Sequence, residues 1–303
     1  MKIFLYLISF IIVCIAPFLG EIPILLKDIF ESTSTTYTIF WDLRVSRVLL
    51  AFFVGGILSL GGLIFQIIFK NELITPYTLG IASGTTLFTA IAIVFFPMLN
   101  ISISSIFGSI VTVLVLYFIS KRINQNSIAV STNSILLIGI SLSYFYGSAL
   151  MLVFYMSNLQ ENYSIIRFTL GSLDTVGFSN GLIIMCVSAV FYLIVYFNKQ
   201  KIRLLLICND TAFLKGLNVN KTNLILLIVV SLSVGISISF VGPIGFIGLI
   251  IPHVIKLIYK QSADKLFFPV FFFGGIFLVF SDLISRNLNT DSSLPIGVVT
   301  AFI

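Results

Sequence analysis

The stretch that decides the fold class is Ile236-Ser-Ile-Ser-Phe-Val-Gly-Pro-Ile-Gly-Phe-Ile-Gly-Leu-Ile-Ile-Pro-His-Val-Ile-Lys256. It is strongly apolar, yet it contains two prolines, three glycines and the only histidine of the chain. A helix in a soluble core would not tolerate so many breakers, because each costs a hydrogen bond or conformational entropy. Membrane helices tolerate such breaks where neighbouring helices or a cavity satisfy the freed backbone groups, as in transporters and channels. The stretch therefore predicts a polytopic membrane protein.

Composition places the whole chain in this class. Of 303 residues, 58% are hydrophobic and 9% are charged, and the mean hydropathy is +1.15. Soluble domains have about 25% charged residues. Apolar runs that could cross about 30 Å of hydrocarbon recur along the chain, which predicts a single all-α transmembrane domain over residues 1–303. The predicted spans are residues 3–20, 48–67, 78–96, 101–119, 133–156, 180–197, 223–241, 244–259, 266–285 and 295 onward.

The basic residues predict an orientation. The net charge of +6 arises from 17 Lys and Arg against 11 Asp and Glu. If the first span is uncleaved and starts in the cytoplasm, twelve of the 17 basic residues lie on the inside, which is the positive-inside pattern. The five on the outside are Lys27, Arg44, Arg47, Arg167 and Arg286. The charge thus indicates a multi-pass protein with a cytoplasmic N-terminus, not a nucleic-acid partner.

Small residues at a spacing of four predict close helix packing. This spacing puts them on one helix face, where two backbones can approach each other in lipid. The cysteines have no metal-like spacing and are interpreted as small apolar residues. The sets with this spacing are Gly80/Gly84, Gly139/Ser143/Gly147 and Ser231/Gly235/Ser239, and the adjacent pairs Gly55-Gly56, Gly61-Gly62 and Gly274-Gly275 have the same interpretation. The three cysteines are Cys14, Cys186 and Cys208.

Reactive groups do not gather anywhere in the sequence. It has no His, Asp and Glu cluster with metal-ligand spacing, no paired carboxylates within a span and no Gly-x-x-x-x-Gly-Lys-Ser/Thr loop for ATP. Asp282 lies near a span and one turn from Arg286, so we expect a local ion pair there. The sequence predicts no catalytic residue, no metal site and no cofactor. The chain is predicted not to be an enzyme, and any transport needs an energy source elsewhere.

Three segments are long enough to be substantial loops: Gly20–Asp42, Ser157–Ser179 and Asn198–Thr222. The last one contains a candidate surface helix, Asn209–Lys215, because Asn or Asp favours a helix start and Gly216 favours a helix end. On the cytoplasmic side such a helix could dock a partner, or it could be a solvated connector. The residues alone leave both readings open.

Several blocks of sequence together resemble one family. The first two are Arg44-Val-Ser-Arg-Val-Leu-Leu-Ala-Phe-Phe-Val-Gly-Gly-Ile-Leu-Ser-Leu-Gly-Gly-Leu-Ile-Phe-Gln66 and Lys70-Asn-Glu-Leu-Ile-Thr-Pro-Tyr-Thr-Leu-Gly-Ile-Ala-Ser-Gly84. The others are Leu170-Gly-Ser-Leu173, Thr211-Ala212 with Gly216, Val241-Gly-Pro-Ile-Gly-Phe-Ile-Gly-Leu-Ile-Ile-Pro-His253, Asp282-Leu-Ile-Ser-Arg286 and Leu294-Pro-Ile-Gly-Val-Val-Thr-Ala301. In this order they resemble the FecCD/BtuC-type permease subunits of bacterial ABC importers for ferric siderophores, haem and cobalamin.

The resemblance implies a set of partners. A permease of this kind has about ten spans in the bacterial cytoplasmic membrane and pairs with a second copy or a homologue. Two ATP-binding subunits lie on its cytoplasmic face, and a periplasmic or lipid-anchored binding protein delivers the substrate. The ATP-binding subunits would supply the energy source that this sequence lacks.

The resemblance also implies roles for individual residues. The arginines expected to dock the binding protein are Arg44, Arg47 and Arg286, for which snorkelling at the membrane interface is the alternative. The residues expected to couple to the ATPase, within a cytoplasmic loop over residues 198–222, are Asn209, Asp210, Thr211, Ala212, Lys215 and Gly216. The residues expected to shape the translocation pathway at the broken helix are Gly242, Pro243, Gly245, Gly248 and Pro252.

The sequence departs from the family pattern at four places. Glu72 and Ser46 replace prolines, which predicts looser turns, and Cys208-Asn209-Asp210 replaces a more acidic opening of the coupling helix. After Pro295 the chain continues only to Ile303, too short to cross a bilayer, so the last of the ten helices is expected to be incomplete.

The function expected from the resemblance is transport of an iron(III)–siderophore complex, driven by a separate ATPase subunit. A cobalamin or haem permease of the same family is the alternative. A self-sufficient ion-coupled secondary carrier is a less favoured one, because such a carrier usually buries an ionisable coupling residue.

Overall fold

The chain folds into an all-helical bundle. The computed structural model describes residues 2–19, 35–123, 132–174, 177–207, 209–288 and 294–303, and no strand occurs in these ranges. The α-helices are α1 (Lys2–Ile15), α2 (Thr35–Thr38), α3 (Ser46–Phe69), α4 (Ile81–Phe95), α5 (Ile101–Ile123), α6 (Thr132–Met156), α7 (Leu159–Leu170), α8 (Phe178–Phe197), α9 (Lys199–Ile207), α10 (Asn209–Leu214), α11 (Val219–Val241), α12 (Ile247–Tyr259), α13 (Phe267–Asn287) and α14 (Ile296–Phe302). A π-helical segment, Ile39–Val45, joins α2 to α3.

Each of the ten predicted spans contains one of these helices, and the all-α polytopic membrane fold is confirmed. Within the described ranges, six helical stretches are long and apolar enough to cross a membrane. They are Thr36–Phe69, Ile101–Ile119, Leu136–Met156, Phe178–Phe197, Val219–Val241 and Phe267–Asn287. Three apolar helices are shorter, namely Ser9–Phe18, Ile81–Phe95 and Ile247–Tyr259. The second of them, α4, ends just before Phe96-Pro97, since the residue preceding a proline is biased away from helix.

Helix α3 lies at the centre of the bundle. It packs against α13, α8, α12 and α11. In its most apolar stretch 83% of the residues are buried, whereas in that of α6 only 22% are. The predicted close packing of small residues is confirmed here. A Cβ added at Gly55 would overlap the carbonyl of Gly274, and one at Gly62 would overlap the carbonyl of Gly248. Glycine is therefore required where α13 and α12 cross α3.

The predicted break after Phe240 is confirmed. Helix α11 ends at Val241, Gly242 follows with φ of +72°, and α12 begins at Ile247 after Phe246, whose φ is +67°. A β-carbon makes this left-handed region costly, so glycine suits position 242 and Phe246 is strained. We call residues 242–246 the broken segment. It divides one apolar stretch of sequence into two helices that need not be collinear.

Two segments expected as loops are instead largely helical. Helix α7 (Leu159–Leu170) has a capping box at its start: the Asn158 side chain accepts from the Glu161 N–H, and the Glu161 side chain accepts from the Asn158 N–H. Helix α9 fills much of the segment 198–222 and buries Ile202 and Leu205 on one face. Both corrections follow from signals present in the sequence, an Asn-x-x-Glu cap and an i, i+3 apolar pair.

Candidate functional site

An ion-pair cluster joins three helices at one end of the bundle. Arg47 of α3 donates from Nε to Oδ1 of Asp282 in α13 at 2.8 Å, and its Nη1 binds Asp174 in the segment after α7. Arg286 lies 3.1 Å from Asp282, and Arg167 of α7 lies 3.5 Å from Asp174. These five residues form what we call the arginine cluster, and their end of the bundle is the arginine end.

The cluster has a buried part and an accessible part. The Asp282 side chain is fully buried, and those of Arg286 and Arg47 are 12% and 15% exposed. Asp174 is 31% exposed and Arg167 is 59% exposed. The expected Asp282–Arg286 ion pair is confirmed, and Asp282 proves to be shared with Arg47. A buried carboxylate needs such partners, because an unpaired charge in the interior is costly.

Arg44 does not join the cluster. Its side chain is buried, and its Nη1 donates to the backbone oxygens of Pro17 at 3.3 Å and Phe18 at 3.5 Å. It therefore ties the turn that follows α1 to the π-helical segment that precedes α3. The three arginines expected to dock a partner are largely covered, whereas Arg167 is well exposed. Asp174 and Arg167 were not predicted as site residues from the sequence, because Asp174 joins the cluster through Arg47, which is 127 positions away.

A sizeable cavity lies beside the broken segment. Cavity 1 has a volume of about 520 Å³ and is bounded by α4, α6, α7, α14 and the broken segment. Its polar groups come from Tyr77, Tyr146, Ser83, Thr86 and Thr169, and the rest of its lining is apolar. Such a mixture suits a large ligand that is partly apolar.

The structure separates the five residues expected at the pathway. Pro243 and Gly245 line cavity 1. Gly242 instead borders cavity 2, a recess of about 440 Å³ at the arginine end that Arg167 and Asp174 also line. Gly248 and Pro252 line neither cavity and are buried in α12, where Gly248 packs against α3. The latter two residues thus have a packing role in this conformation.

A second group of charges lies at the other end of α3, which we call the lysine end. Lys256 of α12 donates to Glu72 at 3.1 Å and to the Gln66 side chain at 3.0 Å, and His253 lies 3.6 Å from Glu72. The hydrogen bond from Lys256, its charge and the neighbouring His253 lower the pKa of Glu72. The expectation that Glu72 loosens this turn is wrong, since its carboxylate pins the turn to α12.

The candidate coupling helix is α10, close to the predicted Asn209–Lys215. It ends as expected at Gly216, whose φ is +80°, and the N–H groups of Gly216 and Leu217 donate to the carbonyls of Phe213 and Ala212. This is the Schellman arrangement that a C-terminal glycine favours.

The side chains of α10 point in different directions. Ala212 is buried in the core, so it is not available to a partner, whereas Lys215 and Gly216 are exposed. Phe213 and Leu214 are 67% and 82% exposed, and the sequence did not single them out. The side chains of Asn209, Asp210 and Thr211, and all of Cys208, lie outside the described part of the chain. Large exposed apolar side chains on a helix tip are typical of a contact surface.

Potential metal ligands are dispersed. In the ranges that the structure describes, no group of three or more His, Cys, Asp or Glu side chains could hold a metal ion. Cys14 and Cys186 are free thiols on exposed helix faces.

Comparison with known proteins gives the family. The model of the FecCD transport family matches residues 7–303. A Helicobacter pylori protein described as a "probable iron chelatin transport system permease protein" is 31% identical over 89% of this chain and 81% of its own length. The vitamin B12 import system permease BtuC of Vibrio cholerae is 27% identical over 86% of this chain and 78% of its own.

A solved structure agrees with this result. An inward-facing structure described as a "metal-chelate type ABC transporter" superposes with a TM-score of 0.88 at 24% identity, covering 99% of this chain and 94% of the other. At that identity the likeness establishes the fold alone. The chain belongs to the FecCD transport family, which confirms the resemblance to ABC-importer permeases drawn from its sequence motifs.

Proposed function

We propose that this chain is the membrane-spanning subunit of a binding-protein-dependent ABC importer that carries an iron(III)–siderophore complex. The observation that carries the proposal is cavity 1, which combines the broken segment with a ring of tyrosine and threonine hydroxyls. A ferric chelate presents both polar donors and apolar surface, which this lining can contact. The similarity to the Helicobacter pylori permease supports this cargo, and the similarity to BtuC keeps cobalamin as the second candidate.

The charges argue for an external energy source. Of the described acidic residues, Asp282 is the fully buried one within a span, and it is neutralised by Arg47 and Arg286. A carboxylate held between two guanidinium groups is poorly suited to binding and releasing a coupling proton or sodium ion. ATP hydrolysis in separate subunits is therefore the favoured drive, and the chain itself makes and breaks no covalent bonds.

Uptake measurements test the function. Cells lacking this chain, with and without a plasmid copy, are given radiolabelled ferric siderophores, haem or cobalamin, each with and without ATP depletion. We expect the plasmid to restore uptake of one ferric chelate in an ATP-dependent manner. Uptake that survives ATP depletion and collapses with the proton gradient would instead identify a secondary carrier. Restored uptake of cobalamin or haem alone would change the cargo and keep the importer.

Coupling to the ATPase is assigned to α10, with Phe213, Leu214 and Lys215 as the contacting side chains. Exposed apolar anchors at an interface each contribute about 1–2 kcal/mol. We expect the double change Phe213→Ala and Leu214→Ala to weaken retention of the ATP-binding subunit by about tenfold or more. Leu257→Ala, a change at a comparably exposed residue of α12, is the control. Equal retention of the subunit by both variants would remove α10 from the interface.

Docking of the binding protein is assigned to the arginine end, which places that end on the outside and the N-terminus in the cytoplasm. Arg47 and Arg286 supply partly covered positive charge there, and Arg44 holds α1 in place. A second permease subunit, either a copy or a homologue, would cover the exposed apolar side chains of α6 and α14, two helices that border cavity 1. Charge reversal at the exposed Arg167, which pairs with Asp174 and not with the buried Asp282, is expected to weaken docking and leave assembly with the ATPase intact; unchanged docking would refute this assignment.

A further inference from the structure

Asp174 is the member of the arginine cluster that can leave it at a low cost in free energy. Asp282 is fully buried between Arg47 and Arg286, so it has no route to water. Asp174 is 31% exposed and lies in a segment between helices. An exposed ion pair is typically worth about 0.2–1 kcal/mol, because each charge is well solvated alone, whereas breaking a buried pair costs several times more. A competing carboxylate would therefore displace Asp174 and leave Asp282 in place.

Asp174 is linked through Ser172 to the backbone just before the broken segment. The Ser172 hydroxyl donates to Oδ2 of Asp174 at 2.8 Å, and the Asp174 N–H donates to that hydroxyl oxygen at 3.1 Å. The Ser172 N–H donates to the carbonyl oxygen of Val241 at 2.8 Å. Since Val241 is the last residue of α11, two short links connect the carboxylate to the start of residues 242–246.

The same segment touches the wall of cavity 1. The Gly171 carbonyl accepts from the Ile296 N–H at the start of α14, and a Cβ at Gly171 would come within 3.0 Å of the Pro243 oxygen. Leu170 and Thr169, which precede it on α7, line cavity 1 together with Pro243. Residues 169–174 thus extend from the arginine cluster to three walls of the cavity, so a displacement at Asp174 is transmitted through direct contacts.

We propose that Asp174 is an internal latch that competes with a carboxylate on the docking protein for Arg47 and Arg167. In the free permease, Asp174 occupies these cations and holds residues 169–174 against the broken segment. An acidic surface that binds the two arginines releases Asp174 to water, and the α7 wall of cavity 1 becomes free to move. Asp174 is a positioning residue, and Arg167, the most exposed cation of the cluster, is the first docking contact. This proposal rests on the docking role assigned above.

The test uses the full-length permease in lipid nanodiscs. The variants are Asp174→Asn, Asp174→Glu as the conservative rescue, and Asp42→Asn as the control. Asp42 is near the same end and makes no ion pair with a described residue. Asp42→Asn changes the net charge by the same amount as Asp174→Asn, so it controls for bulk charge. The first readout is the affinity for hexaglutamate, with hexaglutamine as the uncharged probe. The second readout is hydrogen–deuterium exchange of the peptide amides of residues 169–174 and of Ile296.

The latch predicts that Asp174→Asn alone binds hexaglutamate about two- to fivefold more tightly, the equivalent of one exposed ion pair. It also predicts that exchange at Ser172 and Ile296 rises about fivefold in this variant, and in the wild type when hexaglutamate is added. Asp174→Glu should resemble the wild type in both readouts. A matching gain in Asp42→Asn would reduce the effect to bulk charge and overturn the latch.

Two other outcomes would also overturn it. If hexaglutamate affinity rises and exchange does not, then Asp174 competes for the arginines without controlling the α7 wall. If neither readout changes, Asp174 is structural only. Because no ATP-binding subunit or substrate is present, these failures leave the importer function untouched. Failure of that function would appear separately, as ATP-independent uptake in cells.

Discussion

Each end of α3 is attached to a neighbouring element by a group of ion pairs, and the two groups differ in how deeply the carboxylate is buried. At the arginine end, Arg47 meets a carboxylate that is fully buried, and a second arginine completes the site. At the lysine end, Lys256 meets Glu72, whose side chain is 61% exposed, and His253 lies beside it. Both groups pin a neighbouring element to α3. The burial of the carboxylate, not the number of ion pairs, decides how much of the fold depends on each group.

The comparison also separates two purposes of charge in a membrane protein. A buried pair must stay intact, because each partner alone is a desolvated charge. An exposed pair can open and close at little cost, so it can respond to pH, salt or a competing ion. The arginine cluster combines both purposes, since Asp282 is fixed and Asp174 is exchangeable.

The largest effect is expected from Asp282→Asn. The change leaves Arg47 and Arg286 without their shared carboxylate, and breaking such a buried pair costs about 3–5 kcal/mol. Thermal unfolding of the purified permease in detergent measures the loss, with Glu72→Gln as the matched variant at the lysine end. Equal melting temperatures for the two variants would show that burial does not distinguish the two ends.

A smaller loss of stability is expected from a glycine substitution in α3 between its two ends. Gly62→Ala places a methyl group onto the backbone carbonyl of Gly248, so α12 must move away from α3, at a cost of about 1–3 kcal/mol. Gly61→Ala is the control, because its nearest neighbour is the side chain of Val230 at 3.1 Å, which can shift. The same unfolding assay should rank Gly62→Ala well below Gly61→Ala, and the reverse order would contradict the packing of α12 on α3.

The smallest effect is expected from Glu72→Gln, at most about 1 kcal/mol at neutral pH. Lys256 lowers the folded-state pKa of Glu72, so the stabilising contribution is present above the unfolded pKa, about 4.3 for Glu. It is lost as the pH falls through the folded-state value. Denaturant unfolding of wild type and variant from neutral to acidic pH should therefore converge in acid. A gap that persists there would mean that the ionised carboxylate is not its source.

Hydropathy and local chemistry predicted much of the fold. Twenty apolar residues in a row specify a membrane helix, and Gly242 with Pro243 specifies a break, so both could be read directly. The Gly216 helix end was equally local. Helix α7 could have been recognised from Asn158 and Glu161, but its segment lies between two predicted spans and was read as a loop.

The site was less predictable for a physical reason. Arg47 pairs with Asp174 and Asp282, which are 127 and 235 positions away in the chain, and no local pattern encodes such partners. Burial was equally hidden, because α3 and α6 are both apolar while their neighbours differ. The family motif pointed to Arg47 and Arg286 as docking residues, yet only packing shows how far each is covered.

The span of 235 positions between Arg47 and Asp282 has a consequence for biosynthesis. At a translation rate of about 5–20 residues per second, roughly 12 to 47 seconds pass before the ribosome has made the carboxylate that Arg47 needs. Until then the guanidinium stays near the membrane surface, where a long basic side chain can reach the headgroups and where the exposed Asp174 is its other partner. The start of α3 can therefore settle into its final depth only when α13 arrives, so the arginine end is completed after the helices between α3 and α13 have been made.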